Sequence, residues 1–350
     1  SFTYPPAFRG DTVDTYHGVK VADPYRWLEE EETPGSTMWP KVQEWVKAQN
    51  DLTFGYLASV PQRGAIKDRL TGLWNYERIS PPFKEGGRYF FSRNDGLQNQ
   101  SVFCTVDKLG GTPRMLIDPN TYKADGTISL GGTVPSHDGK FLAYGVSDGG
   151  SDWSTWRVMD LATGKDLPDV INWVKFGGAS WTKDGKGFFY SRYPEPKGSE
   201  GLKAANENQK IYYHTLGTPQ SQDKLIYERP DNPKWYLFGG VTDDGRYHVI
   251  YASDNTTVND AVFYRDLSTP DAPVIELLNK FDQQYALIDN IGTTFYFRTD
   301  LNAPRFRVVS VDIREGKNGV LTNPKEIIPQ ASESLQGVSL VGGKLFARYL

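Results

Sequence analysis

Hydrolysis by a serine nucleophile needs a serine at a sharp turn, a histidine base and a carboxylate that orients the histidine. The usual pattern around such a serine, Gly-x-Ser-x-Gly, occurs once, at residues 145–149 (Gly-Val-Ser-Asp-Gly), but it follows an apolar strand of the β-repeat and no helix is predicted after it. The adjoining segment, residues 149–153, reads Gly-Gly-Ser-Asp-Trp and fits a turn between strands. The four histidines are dispersed, and we interpret each as structural with satisfied ring nitrogens: His17, His137, His214 and His248. We therefore find no recognisable catalytic machinery in this span.

Other common chemical sites are also missing from the sequence. Cys104 is the only cysteine, which excludes a disulfide within the chain and a cysteine-ligated zinc site. No His-Glu-x-x-His pattern, phosphate-binding loop or dinucleotide fingerprint is present. Acidic pairs such as Asp243 and Asp244 are typical of turns, where the side chains need not converge. We expect neither a metal nor a cofactor.

Composition narrows the possible partners. The 350 residues carry 39 basic and 43 acidic side chains, a formal charge of −4, without a long basic run. This disfavours a nucleic-acid partner. No window approaches the roughly 18 apolar residues of a membrane span, and the first ten residues lack the apolar stretch of a signal peptide. We expect a soluble protein that binds neither nucleic acid nor membrane.

Helical periodicity is confined to residues 1–72 and the positions just after them. Val42, Trp45 and Val46 recur at helical spacing after Pro40, which suits a first helical turn. A second helix is predicted from four apolar residues at i, i+4, i+7 and i+8: Ile66, Leu70, Leu73 and Trp74. Residues 11–30 read as an extended segment.

Residues 73–350 contain a repeat of short, aromatic-rich strands. In each copy a Gly or Asp-Gly turn precedes an apolar strand, and the marker glycines are Gly87, Gly139, Gly185, Gly245, Gly292 and Gly343. Their steps are 52, 46, 60, 47 and 51 residues. A second hairpin follows the early markers, which gives four antiparallel strands per repeat, the unit of a β-propeller. A β-sandwich is the rival fold, but it does not explain the nearly equal steps.

The sixth repeat begins at Gly342 and Gly343, and the sequence ends at Leu350 in mid-strand. Two interpretations remain open. Earlier strands could complete the ring, or the chain could be a piece of a longer protein. We favour a piece of a longer protein, because an incomplete blade exposes unpaired backbone groups.

The sequence resembles the prolyl oligopeptidase family along its whole length. Residues 14–29 read Asp-Thr-Tyr-His-Gly-Val-Lys-Val-Ala-Asp-Pro-Tyr-Arg-Trp-Leu-Glu, which is similar to the opening of that family. Further similar segments follow in the family's order: residues 96–100, 116–120, 150–153, 174–176, 181–187 and 212–217. Residues 96–100 and 174–176 are more similar to the proline-specific enzymes than to the related oligopeptidase that cuts after basic residues.

The resemblance implies a fold and an activity. Family members are cytosolic serine endopeptidases that cut short peptides after proline and join an α/β-hydrolase domain to a seven-bladed propeller. Residues 1–72 would then belong with the peptidase domain, and residues 73–350 would form about blades 1 to 6. The triad would lie beyond residue 350, so this span alone is predicted to be inactive. Its partners would be the hydrolase domain and short proline-containing peptides, in the cytoplasm.

The resemblance also suggests three site residues. Phe176 matches an aromatic residue that faces the substrate cleft, although a core phenylalanine is the alternative. Asp152 matches an acidic residue that faces an arginine of the hydrolase domain, although a turn aspartate is the alternative. Asn255 occupies the position at which some relatives keep a reactive cysteine, while Cys104 is expected to pack within a blade.

Two other functions stay open at this point. A peptide macrocyclase on the same scaffold would use the same acyl-enzyme, since the exclusion of water decides between hydrolysis and ligation. A stand-alone propeller that binds other proteins is the third hypothesis, and it requires a closed ring at this length.

Overall fold

The computed structural model describes residues 2–30, 35–196, 206–315 and 323–350. These residues divide into two compact units. The first contains the described residues up to Glu77 together with Asp95–Leu97, and the second contains Arg78–Asn94, Gln98–Pro196 and the described residues from 206 onward.

The first unit begins with a hairpin of β1 (Val13–Tyr16) and β2 (Val19–Ala22) and continues through a 3₁₀ turn at Arg26–Glu29. The helices α1 (Trp39–Ser59) and α2 (Arg63–Trp74) follow. Both helices were predicted from the spacing of their apolar residues, and Pro40 lies in the first turn of α1 as expected.

Most of the apolar surface of the first unit is exposed. Among its described residues, Val42 is the only buried hydrophobic side chain. The apolar residues that predict α2 are each about half exposed: Ile66, Leu70, Leu73 and Trp74. None of the helices within the described ranges combines the length and apolar character needed to cross a membrane.

The second unit consists of six antiparallel sheets that follow one another along the chain. The first sheet contains β3 (Arg78–Ile79), β4 (Phe83–Glu85), β5 (Arg88–Asn94), β6 (Val102–Val106) and β7 (Arg114–Ile117). The second contains β8 (Ser129–Pro135), β9 (Phe141–Ser147), β10 (Trp153–Asp160) and β11 (Lys165–Lys175). The third contains β12 (Ser180–Trp181), β13 (Gly187–Arg192), β14 (Lys210–Thr215) and β15 (Lys224–Tyr227).

The remaining sheets repeat the arrangement. The fourth contains β16 (Tyr236–Val241), β17 (Tyr247–Ser253), β18 (Ala261–Asp266) and β19 (Ile275–Leu278). The fifth contains β20 (Tyr285–Ile291), β21 (Thr294–Thr299), β22 (Arg307–Asp312) and β23 (Lys325–Ile328). The sixth pairs β24 (Leu335–Val341) with β25 (Lys344–Tyr349). The predicted propeller, with a helical segment before it, is confirmed by this succession of antiparallel sheets, four of which are four-stranded meanders.

The turns that predicted the repeat have the expected conformation. All six marker glycines have positive φ, between 60° and 81°, and each lies in the hairpin that enters the second main strand of its sheet. Residues other than glycine avoid this region, which explains why the repeat is visible as a spacing of glycines.

Apolar side chains hold consecutive sheets together face to face. One cluster joins Phe90 and Phe103 of the first sheet to Leu142 and Tyr144 of the second. Later clusters do the same for the next sheet pairs, with Trp156 against Trp181, Ile211 against Phe263, and Tyr247 against Phe295. The core is therefore a series of layers between sheets, and every layer contains at least one buried aromatic ring.

Hydrogen bonds reinforce the contact between neighbouring sheets. The indole Nε1 of Trp181 donates to the carbonyl oxygen of Val134 at 2.8 Å. The backbone N–H of Val241 donates to Ser180 Oγ, also at 2.8 Å. Each bond joins the first strand of one sheet to the first strand of the next, so the two bonds help to fix the register of adjacent sheets.

Gly86 and Gly139 allow the turns of the first and second sheets to touch. A Cβ atom added to Gly139 would lie 2.5 Å from the carbonyl oxygen of Gly86, whereas a Cβ added to Gly292 would meet no atom within 4 Å. Both Gly139 and Gly292 have positive φ.

We expect Gly139→Ala to lower the free energy of unfolding more than Gly292→Ala. The control Gly292→Ala should cost only the left-handed backbone conformation, about 1–2 kcal/mol. Gly139→Ala should add the overlap with Gly86, for a further loss of about 1–3 kcal/mol. Denaturant titration of both variants measures the difference, and equal losses would contradict the close approach.

Candidate functional site

The three predicted site residues lie at the same end of the second unit. Because the strands of each sheet alternate in direction, the glycine turns gather at one end, and the connections between sheets gather at the other. We call this second end the linker face and define it by residues 148–152, 176–179, 228–235 and 254–260. Asp152, Phe176 and Asn255 all belong to it.

The end of β11 carries two aromatic residues in an unusual backbone conformation. Trp173 has φ 64° and Phe176 has φ 56°, although bulky side chains disfavour this region. The pairing of β10 with β11 is irregular between Ser154 and Trp156, close to Trp173. Such strain is found most often where a side chain must be aimed for function. Phe176 is 53% exposed, so it is not the core phenylalanine that was the alternative.

Lys175 connects two of the predicted residues. Its Nζ lies 3.8 Å from a carboxylate oxygen of Asp152 and 5.4 Å from the ring centre of Phe176. The same Nζ lies 5.0 Å from the ring centre of Trp153 and donates to Asn206 Oδ1 at 3.1 Å. Only 13% of the Lys175 side chain is exposed. A cation enclosed by two aromatic rings and a carboxylate holds these groups in a fixed arrangement.

Further aromatic rings extend this group. Trp153 makes edge-to-face contacts with Trp173 and Tyr193, with ring centres 5.9 and 6.1 Å apart, and Phe176 makes one with Tyr236 at 6.4 Å. Burial raises the pKa of Tyr193 to about 12, so its hydroxyl stays protonated. We call the whole set the aromatic–lysine cluster: Trp153, Trp173, Lys175, Phe176, Tyr193 and Tyr236. Of these residues, only Phe176 was predicted.

Asn255 lies on the linker face, but its described hydrogen bonds involve other residues. It has φ 60°, and its side-chain amide donates to the carbonyl oxygen of Lys234 at 3.4 Å. Its backbone N–H donates to Ser253 Oγ at 3.4 Å. The structure thus brings Asp152 and Phe176 together through Lys175, whereas Asn255 sits in its own turn.

His214 is buried and surrounded by acceptors, which confirms that it is a satisfied structural residue. Its Nε2 lies 2.9 Å from Asp169 Oδ1 and its Nδ1 lies 2.7 Å from Asp223 Oδ1. Tyr190 donates its hydroxyl to Asp223 Oδ2 at 2.6 Å. Burial alone would lower the pKa of His214, but the bonds to Asp223 and Asp169 raise it above the usual value. Because both nitrogens are engaged by carboxylates and the side chain has no exposed surface, the imidazole cannot reach a substrate as a base.

The prediction that every histidine is satisfied was wrong for His248. Its Nδ1 is buried without a hydrogen-bond partner among the described residues. The ring stacks on Phe189 with centres 3.9 Å apart, and burial lowers the pKa of His248 to about 3. Because the imidazole is neutral, stacking and packing can hold it where a charged ring would not be tolerated.

The remaining predicted groups are structural. Cys104 is buried in β6, as expected, and burial raises the pKa of its thiol. Residues 149–153 form a turn, with positive φ at Gly149 and Gly150. Within the described ranges, no group of three or more His, Cys, Asp or Glu side chains is placed to hold a metal ion.

Comparison with known proteins gives consistent matches. Residues 5–350 match the family model for the prolyl oligopeptidase N-terminal beta-propeller domain. The sequence is 40% identical to a prolyl endopeptidase of Elizabethkingia miricola over 350 residues, covering 100% of this chain and 48% of that protein. It is 32% identical to a dual function macrocyclase-peptidase of Amanita bisporigera, covering 95% of this chain and 48% of that protein.

Solved structures agree with these matches. A structure from a study of two prolyl endopeptidases and their inter-domain dynamics superposes with a TM-score of 0.89 at 33% identity, covering 99% of this chain and 50% of that one. Prolyl oligopeptidase B of Galerina marginata, bound to a 35-residue substrate, superposes with a TM-score of 0.86 at 30% identity, covering 99% and 51%. The chain spans about half the length of the relatives that it matches.

The surroundings of His214 lead to a pH-dependent prediction. Because its folded-state pKa lies above the ordinary 6.5, the stability from its ion pairs is fully present below pH 6.5. That stability is lost as the pH rises through the folded-state pKa. Asp223→Asn removes one ion-pair partner, so we expect the pKa of His214 to fall and the loss to begin at lower pH.

NMR titration of ¹³C-labelled histidine, together with urea unfolding at several pH values, measures this effect. Asp125→Asn is a matched control, because Asp125 is an exposed aspartate that pairs with Lys123. It should leave the titration of His214 unchanged. A pKa of His214 below 6.5 in the unsubstituted protein would contradict the assignment.

Proposed function

Because this chain belongs to the prolyl oligopeptidase family, whose N-terminal propeller region it matches over residues 5–350, we propose that it is the non-catalytic part of a serine peptidase that cleaves short peptides after proline. In this proposal a C-terminal α/β-hydrolase domain supplies the serine, histidine and aspartate of the triad. The propeller limits access to small, flexible peptides. The 40% identity to a prolyl endopeptidase supports this function.

The aromatic–lysine cluster is the observation that carries the proposal. In this proposal Phe176, half exposed and strained, presents an aromatic face to the apolar side chain that precedes the proline. Asp152 would pair with an arginine of the hydrolase domain that binds the substrate carbonyl. Lys175, which contacts both residues, would hold them at the correct separation.

We assign Asn255 a secondary role at the same face. It would border the cleft at the position where some family members carry a reactive cysteine. Asparagine lacks a thiol, and the thiol of Cys104 is buried in a blade. The protein should therefore resist thiol reagents that inactivate such relatives.

The first unit supplies a surface for the proposed domain partner. The exposed apolar residues of α2 border a groove of about 380 Å³ between α1 and α2, lined by Leu57, Val60, Ile66 and Leu70 among others. Apolar surface of this extent is costly to leave in water. We propose that residues 1–72 belong with the peptidase domain and that docking of this domain covers the groove.

The other partners follow from the same function. The substrates would be short proline-containing peptides, with no role for nucleic acid or membrane. The cytoplasm, which suits a reduced Cys104, is the proposed compartment.

A second candidate function is peptide macrocyclisation. The 32% identity to a dual function macrocyclase-peptidase favours it, as does the superposition on Galerina marginata prolyl oligopeptidase B. Both reactions pass through an acyl-enzyme, and either water or a peptide amine resolves it. A stand-alone interaction module has no comparable support.

The full-length protein should release the chromophore from a chromogenic peptide ester or anilide that ends in proline. Residues 1–350 alone should release none, because the proposal assigns the triad to the C-terminal α/β-hydrolase domain. A matched substrate with alanine in place of proline controls for specificity. Turnover by residues 1–350, or equal cleavage of both substrates by the full-length protein, would refute the proposal.

Phe176→Ala in the full-length protein should lower kcat/KM about tenfold for peptides with an apolar residue before proline, since one aromatic contact is worth about 1 kcal/mol or slightly more. Peptides with glycine at that position should be affected less. Leu109→Ala is the control, because Leu109 is similarly exposed but lies in a turn at the opposite end of the sheets. If both variants behave alike, Phe176 has no role in substrate binding.

A further inference from the structure

A cleft lies between the third and fourth sheets, at the glycine-turn end. Its volume is about 440 Å³, within the range of small-molecule sites. The floor is apolar and consists of side chains from both sheets: Phe189, Tyr213, Ile226 and Leu267. Phe189 is only 4% exposed and is held between the rings of Tyr213 and His248. The floor is therefore rigid.

Three cationic side chains line this cleft, and two of them have unused hydrogen-bonding capacity. Lys224 pairs with Asp271 at the rim. Arg265 is largely buried, and its Nη2 lies 4.0 Å from Asp271, while its buried Nε has no hydrogen-bond partner among the described residues. Arg265 itself lines the cleft, so the remaining N–H groups of its guanidinium can serve a ligand that enters.

Lys183 is the other cation with spare capacity. Its stem packs over Gly245, where an added Cβ would lie 2.2 Å from Lys183 Cγ. Its Nζ is 3.5 Å from His137 Nδ1, but that nitrogen also lies 3.1 Å from Glu85 Oε1. An ammonium group has three N–H donors, and this contact occupies only one of them. The ammonium group therefore remains available at the rim.

The acidic residues of the cleft restrict which anion can enter. Asp271 is engaged by Lys224, and Asp184 accepts from Thr182 Oγ1 and lies near Lys186. Two carboxylates at the rim repel a dianion more strongly than a monoanion. The cleft therefore suits a ligand with a single negative charge on an apolar body. The two cationic donors would bind the charge, the apolar floor would contact the body, and the acidic rim would disfavour a second negative charge.

We propose that this cleft binds a small carboxylate that carries an aromatic or aliphatic body. The carboxylate would accept from Lys183 Nζ and from the guanidinium of Arg265, and the body would cover Phe189 and Leu267. This inference does not depend on peptidase activity, because binding is measured directly.

The probe is 3-phenylpropionate, tested on the full chain by saturation-transfer difference NMR at increasing concentration. We expect saturable binding that weakens with added salt. The neutral 3-phenylpropan-1-ol should bind about tenfold more weakly, because it cannot form the charge-assisted bonds. Equal binding of acid and alcohol, or no saturation at millimolar concentrations, would overturn the proposal.

Variants identify the site. Lys183→Met keeps the stem over Gly245 and removes the charge, so it should weaken binding about tenfold. Lys140→Met is the matched control, because Lys140 is exposed at the corresponding turn of the preceding sheet and lies outside the cleft. Equal affinities of the two variants would show that the probe binds elsewhere and would reject this site.

Discussion

Face-to-face packing between consecutive sheets is the constraint on which the second unit depends. A four-stranded meander has two faces and cannot bury either one alone, so each sheet needs the next one along the chain. The layers contain large rings, such as Trp156 against Trp181 and Tyr247 against Phe295. At the turns between the first and second sheets the backbones of Gly86 and Gly139 touch, which is possible because neither residue has a Cβ atom. Turn chemistry and core packing therefore support the same geometry.

This framework also explains how the linker face can hold strained residues. Trp173 and Phe176 adopt positive φ at the end of β11, a conformation that a free loop would not keep. The rest of β11 is anchored by Ile171 and Val174, both 1% exposed, in the layer against the third sheet. The layer fixes the strand, and the strand imposes the conformation on its last residues. Aromatic side chains are thus aimed away from the core at the point where the sheets are best supported.

The fold was largely predictable from the sequence, whereas the site was predictable only in part. The spacing of glycines such as Gly139 and Gly185 indicates where the backbone turns with positive φ, and such glycines can be recognised in the sequence itself. The aromatic–lysine cluster joins Trp153, Lys175 and Tyr236 from three different strands, β10, β11 and β16, and no local pattern specifies such contacts. The same limit applies to His248. Its ring stacks on Phe189 of the preceding sheet and its Nδ1 has no hydrogen-bond partner among the described residues, and neither fact can be read from the local sequence. In α2 the period of apolar residues predicts a helix, but it cannot tell whether that face is covered.

The two buried histidines, His214 and His248, have structural roles and not catalytic ones. The carboxylates at both nitrogens of His214 raise its pKa against the effect of burial, whereas burial lowers the pKa of His248 to about 3 and keeps that ring neutral. A general base must change its protonation state near neutral pH and must reach its substrate, and neither histidine does both. Lys175 is likewise enclosed by rings and Asp152. These two histidines and Lys175 are therefore committed to holding the shape of the sheets, which agrees with the non-catalytic role proposed for them.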